Sequence, residues 1–144
     1  MRKIFLLSLL FVFSFKFSWS QQNPRLDKQT YFAILDGSDD AVDSYRKAQK
    51  YYRKGQGTYD EALKYFLKVY EYNPKSDALN YKIGVCYLLS SKRAESLSYF
   101  LNCSPDVTKD YYLLLGRAYQ YNSQYNDAKE SYNKYCGHKY QQYQ

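Results

Sequence analysis

The chain has 144 residues, with 21 lysines and arginines against 14 acids and a formal net charge of +7. That length bounds the fold to one domain. A single histidine and three cysteines without a Cys-x-x-Cys spacing exclude the usual structural metal sites, and scattered bases with acids among them are not the dense one-sided patch of a nucleic-acid binder.

The first twenty residues read as an export signal. Arg2 and Lys3 precede an apolar run from Ile4 to Phe15, interrupted by Ser8 and Ser14, and Ser18-Trp19-Ser20 sets small residues before Gln21. This is the order of a secretory signal peptide, with cleavage expected after about Ser20. Lys16 leaves the run short of the roughly 20 apolar residues that span a bilayer, and no cysteine lies near the cut to accept a lipid. The expected location is the periplasm, with any outer-membrane association indirect. Loss of Arg2, Lys3 and Lys16 leaves 18 bases against 14 acids, and all 20 tyrosines remain in the exported part.

Residues 21–40 form a lead segment that opens polar and turns apolar at Tyr31, Phe32, Ile34 and Leu35. Asp36-Gly37-Ser38 breaks any short helix there, and Asp39 or Asp40 is placed to cap the next one. A first helical pair is expected over 41–75. Its helices cover 41–54 and 59–73, on either side of Gly55-Gln56-Gly57, and Asn73-Pro74 stops the second because the residue before proline avoids helical angles. A second pair is expected over 76–107: Ser76 caps a helix over 77–90 that is apolar nearly all round, a second helix covers 93–103, and Pro105 closes the unit. The third pair, over 108–140, has helices at 108–121 and 125–137 with Gly137 as terminator, leaving 141–144 as a tail.

The three pairs share one register. Ala48, Gly84 and Gly116 recur in the first helices, and Ala62, Ser96 and Ala128 in the second, each followed four positions on by Phe66, Phe100 or Tyr132. Ala62 to Ser96 is 34 positions and Ser96 to Ala128 is 32. Small residues let two helix backbones approach closely while the aromatic fills the space beyond. A glycine inside a helix costs roughly 1 kcal/mol against alanine, so two at equivalent positions read as packing choices. The predicted class is all-α, a solenoid of three helix–turn–helix repeats.

This pattern resembles the tetratricopeptide repeat (TPR). The residues that carry it are Ala48, Tyr51, Ala62, Phe66 and Pro74, then Gly84, Tyr87 and Phe100, then Leu115, Gly116, Tyr119, Tyr125, Ala128 and Tyr132, covering about 41–140. The first repeat carries extra turn residues, the second has Ser96 where alanine is usual, and the third lacks a closing proline. A narrower likeness lies in the signal ending Ser-Gln-Gln, the short polar lead, and tyrosine-rich repeats that include Tyr111-Tyr112-Leu113-Leu114-Leu115-Gly116-Arg117-Ala118-Tyr119. Together these look like the N-terminal module of OmpA-like, peptidoglycan-associated envelope proteins, some of which serve type IX secretion. That resemblance implies a scaffold for protein–protein interaction, forming the first part of a longer chain. The alternative is a stand-alone periplasmic adaptor or chaperone-like protein that self-associates through its last repeat.

The resemblance also implies where partners lie, because the first helix of each repeat lines a concave surface. By register the inward residues are Tyr45, Gln49 and Tyr52, then Tyr81, Val85 and Leu88, then Leu113, Arg117 and Gln120. Tyrosine and arginine are enriched at binding hot spots, so Tyr45, Tyr52, Tyr81 and Arg117 are the expected anchors for other envelope proteins or peptide segments. The competing use of these residues is packing against the chain's own segment 26–36. No catalytic set or cofactor is expected. Lys54-Gly55-Gln56-Gly57 lacks P-loop spacing, and the lone His138 sits near the tail without a nucleophile partner. Among Cys86, Cys103 and Cys136, an odd number for an exported chain, Cys103 falls at a packing position and reads as a buried small apolar residue.

Overall fold

The computed structural model describes residues 39–141, with side chains as far as Lys139. The expected signal peptide, most of the lead segment and the last three residues of the tail lie outside the described residues. All described secondary structure is helical, in six α-helices. These are α1 (Asp39–Lys54), α2 (Tyr59–Tyr70), α3 (Asp77–Leu88), α4 (Ser96–Leu101), α5 (Tyr111–Tyr121) and α6 (Tyr125–Gln141). Short 3-10 turns at Arg93–Glu95 and Pro105–Val107 flank α4. Each helix packs chiefly on its chain neighbours, most closely α1 on α2, α5 on α6 and α3 on α4. No described helix is long and apolar enough to cross a membrane.

Local chemistry sets the boundaries. Asp39 and Asp40 stand inside the first turn of α1, where their carboxylates meet the positive end of the helix dipole. The α1–α2 turn depends on Gly55 (φ +82°) and Gly57 (φ +86°), both in the left-handed region that a side chain disfavours. The Thr58 hydroxyl closes that turn, 2.7 Å from the Tyr51 carbonyl and 2.9 Å from that of Gly55. At the head of α3 the Ser76 hydroxyl accepts the Leu79 N–H, the N-cap that serine favours. Asn80 is fully buried and donates to the Pro74 and Ser76 carbonyls, fastening α3 to the preceding turn.

Several expected boundaries need correction; the helix expected over 93–103 is a 3-10 turn at Arg93–Glu95 followed by α4 at Ser96–Leu101. Helix α2 stops at Tyr70 rather than 73, because the chain turns at once, Tyr72 N–H bonding back to Val69. Helix α3 stops at Leu88 rather than 90, and the Ser90 hydroxyl donates to the Tyr87 carbonyl while accepting the Lys92 N–H. Helix α5 starts at Tyr111 rather than 108, since Pro105–Val107 form their own 3-10 turn and Thr108 is extended. Helix α6 runs through Gly137 to Gln141. Gly137 has open space at its Cβ position and is exposed, so nothing in its surroundings forces the chain out of the helix.

The core follows the repeated register. Ala48, Ala62, Phe66, Ser96 and Phe100 have no exposed surface, and Ala128 has almost none. A Cβ on Gly84 would stand 3.0–3.1 Å from the Phe100 ring, and one on Gly116 would stand 2.5–2.9 Å from the Tyr132 ring. The same glycine-under-aromatic contact thus joins α3 to α4 and α5 to α6. Tyr111 ties the next interval together, its buried hydroxyl donating to the Phe100 carbonyl at 2.9 Å. Tyr111→Phe is expected to cost about 1–2 kcal/mol, the worth of a buried hydrogen bond whose acceptor stays behind. Urea unfolding checks this, and an unchanged midpoint would mean that water replaces the hydroxyl.

Candidate partner-binding face

The nine inward-register residues divide into two groups. On α1 and α3, Gln49, Tyr52, Tyr81, Val85 and Leu88 are buried, the last four at no more than 3% exposure. Tyr45, Leu113 and Arg117 are half-buried, and Gln120 is exposed. The five buried residues are therefore part of the interior and not an open surface, which corrects the anchor roles expected for Tyr52 and Tyr81. Helical register gives the direction in which a side chain leaves its own helix. It is silent on what stands opposite.

Aromatic edges account for much of this enclosure. Tyr52 sets its ring edge against Phe66 and Tyr59, with centroids 5.8 and 6.0 Å away. Tyr81 meets Phe100 in the same edge-on manner at 6.0 Å. Both geometries are those that ring quadrupoles favour. Burial pushes the Tyr81 phenol up to about 12 and holds that of Tyr52 well above its ordinary value. On the half-open side, Gln49 Nε2 donates to the Tyr45 hydroxyl at 2.8 Å, and the Tyr132 hydroxyl donates to Gln120 Oε1 at 2.7 Å.

Two features were not singled out in the sequence. The first is Lys82, 1% exposed, whose ammonium stands 5.3 Å from the centroid of the Tyr52 ring. Desolvation, helped by the nearby Arg53 charge, lowers it to about 8. The signal was one lysine inside an otherwise apolar helix, easily read as a solvated outlier. The second is a tyrosine stack repeated at equivalent positions. Tyr51 and Tyr65 lie parallel at 5.9 Å, and Tyr87 and Tyr99 stack at 5.3 Å with Tyr70 edge-on to Tyr99. Lys54 and Lys47 place their ammonium groups over the Tyr51 and Tyr65 rings. In the third pair the equivalent positions hold Tyr119 and Ser131, so the stack ends there. The recurrence of tyrosine at both positions was present in the sequence, but only the residues of the first position entered the repeat pattern.

All three cysteines are free thiols, with Cys86 and Cys103 buried and Cys136 exposed. Cys103 Sγ lies 3.3 Å from the Tyr99 carbonyl and 3.5 Å from that of Asp77, so its thiol bridges α4 to the head of α3. Burial raises the Cys103 thiol to about 12 and that of Cys86 further, which keeps both protonated and unreactive as nucleophiles.

The class that the fold defines over the described residues is all-helical, with six helices packed against one another. Neither a protein-family model nor a curated protein sequence matches the chain.

Proposed function

We propose that this chain is an exported scaffold of tetratricopeptide type. In this reading it holds segments of other envelope proteins, as the N-terminal module of a larger peptidoglycan-associated protein. The observation that carries the reading is the recurring small-under-aromatic contact, Gly84 beneath Phe100 and Gly116 beneath Tyr132, at matching places in successive helical pairs. Chains built of equivalent packed pairs present one continuous face to a partner. The accessible part of that face is Leu113, Arg117 and Gln120 on α5, with Tyr45 at the matching register position of α1. The outward side of α6 is polar, with Lys129, Glu130, Asn133 and Lys134 exposed. Among the described residues Tyr125 is the one large hydrophobic side chain of α6 left exposed, so we favour the scaffold over the self-associating adaptor.

Leu113→Asp combined with Arg117→Glu should abolish capture of the envelope partner while helical circular dichroism stays intact. In cells, an antibody to the repeats should detect a species that pellets with peptidoglycan. Full capture by the double variant, or a native species wholly in the soluble periplasm, would overturn the reading.

A further inference from the structure

The bases are dispersed along the chain as a whole, but α1 gathers them. No acid lies between Asp43 and Asp60, and residues 46–54 hold Arg46, Lys47, Lys50, Arg53 and Lys54. At 3.6 residues per turn these fall within an arc of about 120° around the helix. All of them are exposed, and every exposed residue of α1 is charged. The helix packs chiefly on α2, so the arc stands on its open side.

This arrangement works against the helix that carries it. Lys50 has a like charge at each of its near neighbours on the helix surface, Arg46 and Lys47 before it and Arg53 and Lys54 after it. Like charges three and four positions apart repel and destabilise a helix. The helix dipole accounts for Arg53 and Lys54, which sit in the last turn, but not for Arg46, Lys47 and Lys50 further up. Among the described residues Arg46 pairs with Asp43 at 3.5 Å, and no acid pairs with the other bases of the arc. Lys47 and Lys54 stand instead against the stacked rings of Tyr65 and Tyr51, 5.8 and 5.4 Å from the centroids. Those ammonium groups are held in place before any ligand arrives, which lowers the cost of ordering them on binding.

We propose that this arc of α1 is a docking surface for an acidic segment of a partner protein. Charge complementarity names the occupant, because a run of Asp or Glu laid along the arc turns the repulsion around Lys50 into attraction. From Arg46 to Lys54 is about 12 Å along the helix axis, the length of about four residues of extended chain. A lipid surface fits less well. A helix that lies on a membrane turns a broad apolar face to the lipid, whereas Ala41, Ala48 and Tyr52 of α1 are buried within the fold. Nucleic-acid strands stack their bases on open aromatic rings, whereas Tyr51 and Tyr65 stack on each other with a lysine against each. The arc is separate from Leu113, Arg117 and Gln120 of α5, so it does not depend on the scaffold reading.

The test uses the exported full chain and a fluorescent hexaglutamate peptide with Gly-Ser flanks, followed by anisotropy. The parent should bind it, with affinity falling at least about ten-fold as sodium chloride rises from about 50 to about 300 mM. Lys50→Glu/Arg53→Glu should weaken binding at low salt by at least about ten-fold, with circular dichroism unchanged. Lys129→Glu/Lys139→Glu on α6 makes the same change in net charge and should bind within about two-fold of the parent. Leu113→Asp/Arg117→Glu should also keep the peptide, even where it loses the scaffold's partner. Equal losses in the α1 and α6 variants would report net charge alone and overturn the proposal. No binding by the parent, or binding that ignores salt, overturns it as well. Tighter binding of a single-stranded oligonucleotide of equal charge, or of phosphatidylglycerol–phosphatidylcholine vesicles, assigns the arc to another occupant and also overturns it. Loss of the peptide in the Leu113→Asp/Arg117→Glu variant alone places the acidic segment on α5 and rejects the α1 surface.

Discussion

Phe100→Ala is expected to destabilise the protein by about 3–5 kcal/mol, the range for removing a fully enclosed phenylalanine. Phe100 has no exposed surface. Its ring covers Gly84 of α3 and meets the Tyr81 edge, while its carbonyl takes the Tyr111 hydroxyl from α5. One residue therefore joins three helices, and the cavity left behind cannot collapse without moving all of them. The loss is a large share of the total stability of about 5–15 kcal/mol typical of a single domain. It should lower the melting temperature by more than about 12 °C. A fall of only a few degrees would mean that α4 packs far more loosely than the structure shows.

The glycine beneath that ring gives a sharper readout than the deletion alone. Alanine gains roughly 1 kcal/mol of helix propensity over glycine, but at position 84 its methyl would stand 3.0–3.1 Å from an enclosed ring. Overpacking of this kind costs about 1–3 kcal/mol, so Gly84→Ala should be neutral to destabilising in the parent. In a Phe100→Leu background the ring is gone and the same change should stabilise. That reversal of sign is the coupling that a double-mutant cycle measures. At Gly116 the overlap with Tyr132 is deeper, but that ring is half-exposed and can swing out once it gives up its bond to Gln120.

These contacts show what was legible in the sequence and what was not. Spacing alone placed Ala48, Gly84 and Gly116 on first helices and an aromatic four positions after each small residue on the second, because helix faces repeat with a fixed period. The same period pointed Tyr52, Tyr81, Val85 and Leu88 inward. It could not say whether that side would be open, since exposure depends on segments distant in sequence. Lys82 escaped notice for a related reason: composition assigns lysine to water, and only the tertiary arrangement holds it under an aromatic ring. The early start of the turn after α2 and the 3-10 segments around α4 follow from single hydroxyl and carbonyl pairings too local for periodicity to register. Gly137 shows the converse, a residue with stop-signal character that ends nothing because its helix meets no obstacle there.

Stability should peak near pH 9 and collapse above pH 10. Burial raises the thiols of Cys86 and Cys103 and the phenols of Tyr52 and Tyr81. Each such group stays protonated in the folded chain after its unfolded counterpart has ionised. The stability it lends is complete below the unfolded value and drains away as pH rises toward the folded one. Lys82 acts in the opposite sense: its folded value of about 8 lies below the unfolded 10.5, so the folded chain binds fewer protons between them and stability rises with pH over that window. Each group changes stability by about 1.4 kcal/mol per pH unit while its two states differ in protonation. Between pH 8 and 9 only Lys82 acts among these five, and the slope is upward. Between 9 and 10 the two thiols outweigh it. Above 10 the two phenols join them and Lys82 ceases to help, giving a fall of about 5 kcal/mol per unit, enough to unfold a domain within one or two units. Thermal melts across this range should trace the peak. Tyrosinate absorbance should show the enclosed phenols of Tyr52 and Tyr81 ionising only as helicity is lost. Lys82→Met removes the charge from its enclosed site, so it should stabilise the chain below pH 8 and erase the rise toward pH 9, leaving the alkaline collapse in place. A melting temperature that is flat from pH 8 to 9 in the parent, or equally pH-dependent there in Lys82→Met, would show that Lys82 keeps its ordinary protonation within the fold.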